Sequence, residues 1–422
     1  MNIVYVHQHF TTDKGNVGNR SYDFARMLVE RGHHVVLITG IGRECDLGPG
    51  ECKGLITRRT IDGIQLRIIN VVYDSKQGFW RRILTFLVFM VLATFEVLRE
   101  RQADVVFATS TPLTVGLPGS VARYVNRVPF VFEVRDIWPE TVVSLGLLKN
   151  PLLVALATAA ERAFYHAAGR IIVISHRMGE RLATRLGRAA AKLRVIPLGT
   201  DCASFDAAEA NAAWRREHAL DGKFVAVYAG AHGRVNALPW VLKAAALLKG
   251  DARVRIVLIG RGAFKPQLIE QARQARLDNV LLLDPVSKES LAGILKACDL
   301  GLMTLDNLPI FDTACPNKFM DYLAAGLPVL VNFNGEAGWI CKEEGCGVIV
   351  PPENAEAMAD AIRNLAAHAD RAHEMGRKAR RVAAERFDRR RLVEDLERTL
   401  CEAARPSRPA GRSRHRVNGS VL

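Results

Sequence analysis

Short apolar, β-branched runs recur along the chain with helical patterns between them, the alternation that parallel α/β units produce. In the first half the strand candidates read NIVYVHQ, HVVLIT, IQLRIIN, DVVFATS, PFVFEV, RIIVIS and LRVIPLG. A second series runs KFVAVYAG, VRIVLIG, NVLLLDP, LGLMTL, PVLVNF and GVIVPP. Between the two, Thr200 to Gly222 is polar and alanine-rich with no strong strand. The pattern therefore predicts two doubly wound, Rossmann-like α/β domains, 1–199 and 200–387, meeting near Gly199 and facing each other across a cleft. Asp388 to Ala404 reads as a last helix, and the segment Arg405 to Leu422, rich in Arg, Pro, Ser and Gly, as a disordered basic tail. Open α/β sheets bind ligands at the carboxyl ends of their strands, so candidate chemistry is sought there.

The densest stretch is Cys315 to Leu330, CPNKFMDYLAAGLPVL. Pro316 suits the first helical position, Gly326 a C-cap, and Pro328 stops the helix before the strand VLVNF. Lys318 and Asp321, three apart, share a helix face near its anion-attracting end. Together with free backbone N–H groups they suit a nucleoside diphosphate, the ammonium for pyrophosphate and the carboxylate for ribose hydroxyls. The competing reading is a solvated surface pair.

Other strand-to-helix turns carry further candidates. Gly15 and Gly18 precede an amphipathic helix and permit close backbone approach to a sugar or phosphate, or simply serve a turn. Asp136 follows PFVFEVR, where it could orient or deprotonate an acceptor hydroxyl, or cap the helix near Pro139. His176 has the same topological position and reads as an exposed loop residue. The loop after KFVAVYAG holds His232, Gly233, Arg234 and Asn236, and a guanidinium there would fork onto phosphate oxygens. Gly260 and Gly262 form the next such turn; Asp284 to Leu291, with Val286 inside it, could lend backbone groups to a base; Glu336 follows PVLVNF. No D-x-D occurs, so no carboxylate pair for a metal is read and no cofactor is expected.

The net charge of +14 points to an anionic partner: phosphorylated substrate, acidic membrane surface or nucleic acid. Dispersed arginines without an aromatic-basic platform argue against nucleic acid. Eight scattered cysteines without a C-x-x-C pair fit a reducing, cytoplasmic setting, and a chain opening directly on a strand predicts no signal peptide. Ile83 to Leu98 is apolar and flanked by arginines, but it is short for a membrane span and Glu96 interrupts it. It reads either as a core helix or as one lying on a membrane at the cytoplasmic face.

FEVRDIWPET, YAGAHGRVNALPWVL and PNKFMDYLAAGLPV together resemble the GT-B-fold glycosyltransferases of the large retaining family four, and most closely the bacterial polysaccharide enzymes similar to fucosamine and colanic-acid fucosyl transferases. The resemblance extends to about Arg405. It implies sugar transfer from a nucleotide donor, UDP-linked or GDP-linked, on the second domain to an acceptor on the first, with retained configuration and a last helix crossing back to the first domain. It also implies that Gly15 borders the diphosphate, Asp321 holds the ribose and Glu336 lies in the loop touching the donor sugar. This chain departs from the family pattern in three places. The usual Arg and Lys of the phosphate loop fall on Ala231 and Asn236; the first carboxylate of the E-x7-E pair falls on Thr313 and the second is Asp321; Asp136 stands where many relatives carry histidine. Arg234 and Lys318 are the expected replacements for the missing charge. The expected acceptor is a lipid-linked saccharide in polysaccharide synthesis. The rivals are a GT-B-fold nucleotide-sugar 2-epimerase and an NAD-dependent oxidoreductase, the second weakened by the missing G-x-G-x-x-G.

Overall fold

The computed structural model describes residues 1–12, 15, 19–42, 54–74 and 77–404. Gly18 and the basic tail 405–422 lie outside the described residues. The first sheet contains β1 (Asn2–Val6), β2 (His34–Gly42), β3 (Ile56–Ile61), β4 (Ile64–Tyr73), β5 (Val105–Thr109), β6 (Phe130–Val134), β7 (Arg170–Val173) and β8 (Leu193–Val195). Their order is β3-β4-β2-β1-β5-β6-β7-β8. The second contains β9 (Phe224–Ala229), β10 (Val254–Ile259), β11 (Val280–Leu283), β12 (Leu300–Met303), β13 (Val329–Val331) and β14 (Gly347–Ile349), ordered β11-β10-β9-β12-β13-β14. Each apolar run named above is one of these strands, and the order reverses at β1 and at β9, the crevice-forming switch points of doubly wound sheets.

β3 escapes the apolar pattern. Its residues ITRRTI are half exposed because it is an edge strand, the one antiparallel partner in its sheet. It turns into β4 through Asp62 and Gly63, at φ 48° and 78°, and an Asp-Gly pair with both φ positive is the sequence signal of such a hairpin.

Alternation along each strand gives every sheet an apolar core on both faces, as parallel sheets require. Val4 and Val6 join one core of the first sheet while Ile3 and Tyr5 join the other. The helix Arg389–Ala404 buries Leu392, Val393, Leu396 and Leu400 in that second core, so the chain's last helix packs on the first domain. Its crossing pairs with the outward crossing: Thr200 N–H donates to the Phe387 carbonyl at 2.8 Å and Arg389 N–H to the Thr200 carbonyl at 3.1 Å.

The arginine-flanked stretch lies in the helix Phe79–Arg99, and it has two faces. Phe89, Ala93 and Val97 are buried, and Glu96 is buried and paired with Arg99. Trp80, Leu84, Leu87, Val88, Val91 and Phe95 form an exposed stripe at helical spacing. Among the described residues no helix is long and apolar enough to cross a membrane.

Arg20 opens the helix Arg20–Glu30 from inside the protein. Its guanidinium donates to Glu133 at 2.7 and 3.0 Å, to the Leu198 carbonyl at 2.8 Å and the Ile196 carbonyl at 3.2 Å, and also to that of Pro197. Burial would raise the Glu133 pKa, but Arg20 and Arg135 hold it near 2. Removing one member of such a buried pair strands the other charge. Arg20→Ala should therefore cost about 3–5 kcal/mol of first-domain stability, read as a lower urea midpoint by circular dichroism; an unchanged midpoint would contradict this.

Candidate active site

On the second domain the loop after β9 lies directly against the loop after β10. A Cβ at Gly260 would sit 1.8 Å from the Gly230 carbonyl oxygen, and one at Gly262 would sit 2.2 Å from that of His232. These two glycines let the backbones stack, with His232 N–H donating to the Arg261 carbonyl at 2.8 Å. Their evident task in this structure is loop-on-loop packing. The His232 ring is sealed beneath, neither nitrogen having a partner among the described residues. Burial, then the charges of Lys265 and Lys318, lower its pKa to about 4, so the imidazole is neutral.

Lys318 rises from the first turn of the helix Asn317–Ala324. Pro316 proves to be the extended N-cap of that helix rather than its first residue, and Gly326 takes φ +73° just past its end. The Lys318 ammonium donates to the Tyr228 hydroxyl at 2.7 Å and to Asn236 Oδ1 at 3.1 Å, and stands 4.2 Å from the Tyr228 ring centroid. No carboxylate pairs with it among the described residues. Burial lowers its pKa to about 7. Asp321, on the same helix, turns the other way and accepts from Thr200 Oγ1 at 2.7 Å, on the segment joining the domains.

Lys288, first in the helix Lys288–Lys296, donates to Asn19 Oδ1 across the cleft. The same oxygen accepts from Arg389 Nη1 at 3.1 Å, and Asn19 Nδ2 donates to Asp23 at 3.2 Å. Asp23 also pairs with Arg389. Asn19, directly before the helix Arg20–Glu30, thus ties both domains and the returning helix. Val286, two residues before Lys288, is half buried and packs on the second-domain core.

Across the cleft, Gly15 makes a tight turn, its N–H donating to the Thr12 carbonyl at 3.3 Å; a Cβ there would meet Thr11 Oγ1 at 1.8 Å. Asp136 does not cap a helix: the short helix Glu140–Ser144 takes Pro139 as its N-cap. Asp136 instead accepts from Thr111 Oγ1 at 2.8 Å, and burial raises its pKa against the opposing effects of Thr111 and Arg135. A carboxylate so raised is a better proton acceptor.

A further expectation is corrected. His176 is not in a loop; it opens the helix His176–Leu186, and its Nδ1 lies 3.0 Å from Glu336. Glu336 also accepts the backbone N–H groups of His176 and Arg177 at 3.2 and 3.1 Å, so its carboxylate caps a first-domain helix from the second domain. Beside it Ser175 Oγ donates to the Thr313 carbonyl at 2.8 Å. The Arg234 side chain is exposed and lines a recess with Ala263, Phe264 and Gln267.

Sequence spacing missed Tyr228, Thr200, Asn19 and Lys288, since nothing local marks a residue whose partner is a domain away. Among the described residues no group of three or more His, Cys, Asp or Glu side chains could hold a metal ion.

A family model described as a glycosyl transferase 4-like domain matches residues 15–199, and one described as glycosyl transferases group 1 matches residues 223–368. The chain is 26% identical over 275 residues to the probable glycosyltransferase WbjE of Pseudomonas aeruginosa, covering 63% of this chain and 67% of that one. It is 23% identical over 309 residues to the alpha-monoglucosyldiacylglycerol synthase of Streptococcus pneumoniae, covering 70% of this chain and 66% of that one. It thus spans about two thirds of the length of these relatives. The HepE protein of Anabaena, solved with UDP, superposes with a TM-score of 0.71 at 18% identity, covering 95% of this chain and 100% of that one. That likeness establishes the GT-B fold.

The Glu336 clasp generates a pH prediction. Its hydrogen bond to Glu336 raises the His176 pKa, so the ionic part of the clasp is complete below the ordinary imidazole range and lost as pH rises through the raised value. Burial opposes ionisation of Glu336, but His176 and the two N–H groups outweigh it, so that side fails only in acid. Small-angle scattering should show a more closed molecule at about pH 6 than at about pH 8.5, and Glu336→Gln should remove the difference. Equal dimensions in the wild type at both values would refute the clasp.

Proposed function

Since the chain belongs to the GT-B glycosyltransferases that join a 4-like domain to a group 1 domain, we propose that it moves a sugar from a nucleoside-diphosphate donor, UDP-linked in preference to GDP-linked, onto a lipid-linked saccharide of a cell-surface polysaccharide, with retention at the anomeric carbon. One observation carries the donor half. The Lys318 ammonium, unpaired by any carboxylate among the described residues, is hydrogen-bonded to Asn236, the loop position where the family resemblance expects a lysine. The missing charge of that loop is supplied from a neighbouring helix.

In this reading the departing diphosphate lies over the loop after β9, where Lys318 and the N-terminus of its helix oppose the charge that develops as the glycosidic bond breaks. Asp321, oriented by Thr200, accepts the ribose hydroxyls. His232 stays neutral and shapes the loop beneath, and Gly15 borders the diphosphate from the first domain. Asp136 orients the acceptor hydroxyl and takes its proton. Contacts such as Lys288 to Asn19 draw the domains together and exclude the water that would hydrolyse the donor. HepE has been solved with UDP-glucose, which supports a UDP-sugar here. None of the relatives named is an epimerase.

The acceptor half rests on the helix Phe79–Arg99. Its exposed apolar stripe lies beside exposed Arg81 and Arg99, the pairing of surfaces that an anionic bilayer offers. A relative named for a glucosylated diacylglycerol agrees with a lipid acceptor. The protein would work at the cytoplasmic membrane face.

UDP or GDP should raise the melting temperature with EDTA present, and ADP or NAD should not; a shift confined to NAD would overturn the donor reading. Lys318→Ala should lower turnover by about 10²–10³-fold while leaving the fold intact. Above its pKa of about 7 the free Lys318 is largely deprotonated, so UDP binding at about pH 8 should take up a proton. At about pH 6 the uptake should vanish, and in Lys318→Ala it should be absent at both values, as calorimetry in buffers of different ionisation enthalpy will show. In flotation assays the protein should rise with phosphatidylglycerol vesicles, and the double variant Leu84→Asp, Phe95→Asp should stay behind with its UDP shift intact.

A further inference from the structure

Three half-buried aromatic rings meet at the carboxyl end of the first sheet. The His9 ring stands 4.6 Å from that of Tyr73 and 6.3 Å from that of Phe86, edge-on to both. Tyr73 and Phe86 stack at 5.6 Å with 18° between their planes. They come from three elements: the loop after β1, the last residue of β4 and the helix Phe79–Arg99. The Tyr73 hydroxyl and the His9 imidazole make no hydrogen bond among the described residues. None of the three rings belongs to either apolar core of this domain.

Arg135 reaches the same neighbourhood from the end of β6. Its Nε is held by Glu133 at 3.2 Å, while its Nη2 is buried without a partner among the described residues. Its charge bears on His9 and on Asp136 alike. An aromatic platform beside an unspent guanidinium N–H and a carboxylate matches one kind of ligand. A pyranose ring has an apolar C–H face, which complements the negative face of an aromatic ring, and an edge of hydroxyls that needs donors and acceptors.

We infer that His9, Tyr73 and Phe86 form the subsite on which the acceptor's terminal sugar stacks, with Arg135 and Asp136 at its hydroxyl edge and its apolar tail leaving along the exposed stripe of the helix that carries Phe86. The inference rests on the transferase reading and adds the acceptor's place to it. Phe86 is the connecting residue. It neighbours Leu84 and Leu87 of the stripe in sequence, yet its own ring turns toward Tyr73. One helix then serves both ends of the acceptor, its outer face toward the bilayer and Phe86 toward the sugar.

The test is saturation-transfer NMR with n-octyl β-D-glucopyranoside below its critical micelle concentration, with methyl β-D-glucopyranoside and octanoate as the separate halves. Stacking reads the ring face more than the hydroxyl pattern, so a generic alkyl hexoside is an adequate probe. In the wild type the sugar C–H protons of octyl glucoside should be saturated. Phe86→Ala and Tyr73→Ala should each weaken binding roughly tenfold, and Tyr73→Phe, which keeps the ring, should not. All three variants should keep the wild-type UDP melting shift, which shows that they are folded with an intact donor site. Saturation confined to the octyl chain, absent from the wild type, or unchanged in both alanine variants would overturn the inference. Loss of the UDP shift in the wild type would instead remove the donor reading, and the octyl glucoside result would still decide whether a sugar stacks on this platform.

Discussion

A guanidinium without access to water has to be satisfied by the protein around it, and Arg20 meets that condition by drawing three parts of the chain together. Glu133 at the end of β6 supplies the charge, and Ile196, Pro197 and Leu198 supply carbonyls on the segment leaving the first domain. Its plane also lies over the Phe24 ring at 4.1 Å. Hydrogen bonds and attraction offset the desolvation of both charges only while this geometry is held. The pair therefore fixes the start of the helix that follows Gly15, the end of the strand that leads to Asp136, and the approach to the second domain. Both the cleft's first-domain wall and the direction of the linker depend on it.

The domains are joined in a way that combines a narrow backbone connection with polar contacts at its margins. Among the described residues only the outward chain near Thr200 and the returning chain near Arg389 cross, and these two stretches of backbone hydrogen-bond to each other. Around that crossing sit Asn19 with Lys288 and Arg389, Asp321 with Thr200, and Glu336 with the helix at His176. When the cleft opens, such polar groups can take water or ligand groups as new partners, whereas an apolar interface would expose hydrophobic surface. The arrangement suits two bodies that close on a charged donor and open again to release its product.

Positive charge is distributed unequally within the cleft. Lys318 is half buried on an aromatic ring without a carboxylate partner among the described residues, and burial lowers its pKa to about 7. Lys288 is spent on Asn19, and Arg234 lines a recess with Ala263, Phe264 and Gln267. The long helix of the first domain separates its own tasks by face, with Phe89, Ala93 and Val97 in the core, Phe86 toward the strand ends, and the Trp80 to Phe95 stripe toward solvent.

Much of this was legible in the chain. Burial on both faces of a parallel sheet writes a local apolar run for each strand, so the two domains and their strands could be read directly; β3 could not, being a half-exposed edge whose one clear mark was its Asp-Gly turn. Lys318 and Asp321 were legible as candidates three apart on one helix, because that spacing is also local, although the structure gives them different partners. Their partners were not, since Lys318 meets a residue 82 positions earlier and Glu336 one 160 positions earlier. The sequence by itself determined the number of domains, their strands and the loops in which chemistry is to be sought, all of which follow from short-range periodicity. Only the tertiary structure decided which charges meet, that Lys318 rather than Arg234 reaches Asn236 and that Glu336 caps the opposite domain. A side chain's direction is set by whatever distant segments pack around it, and no spacing along the chain records that.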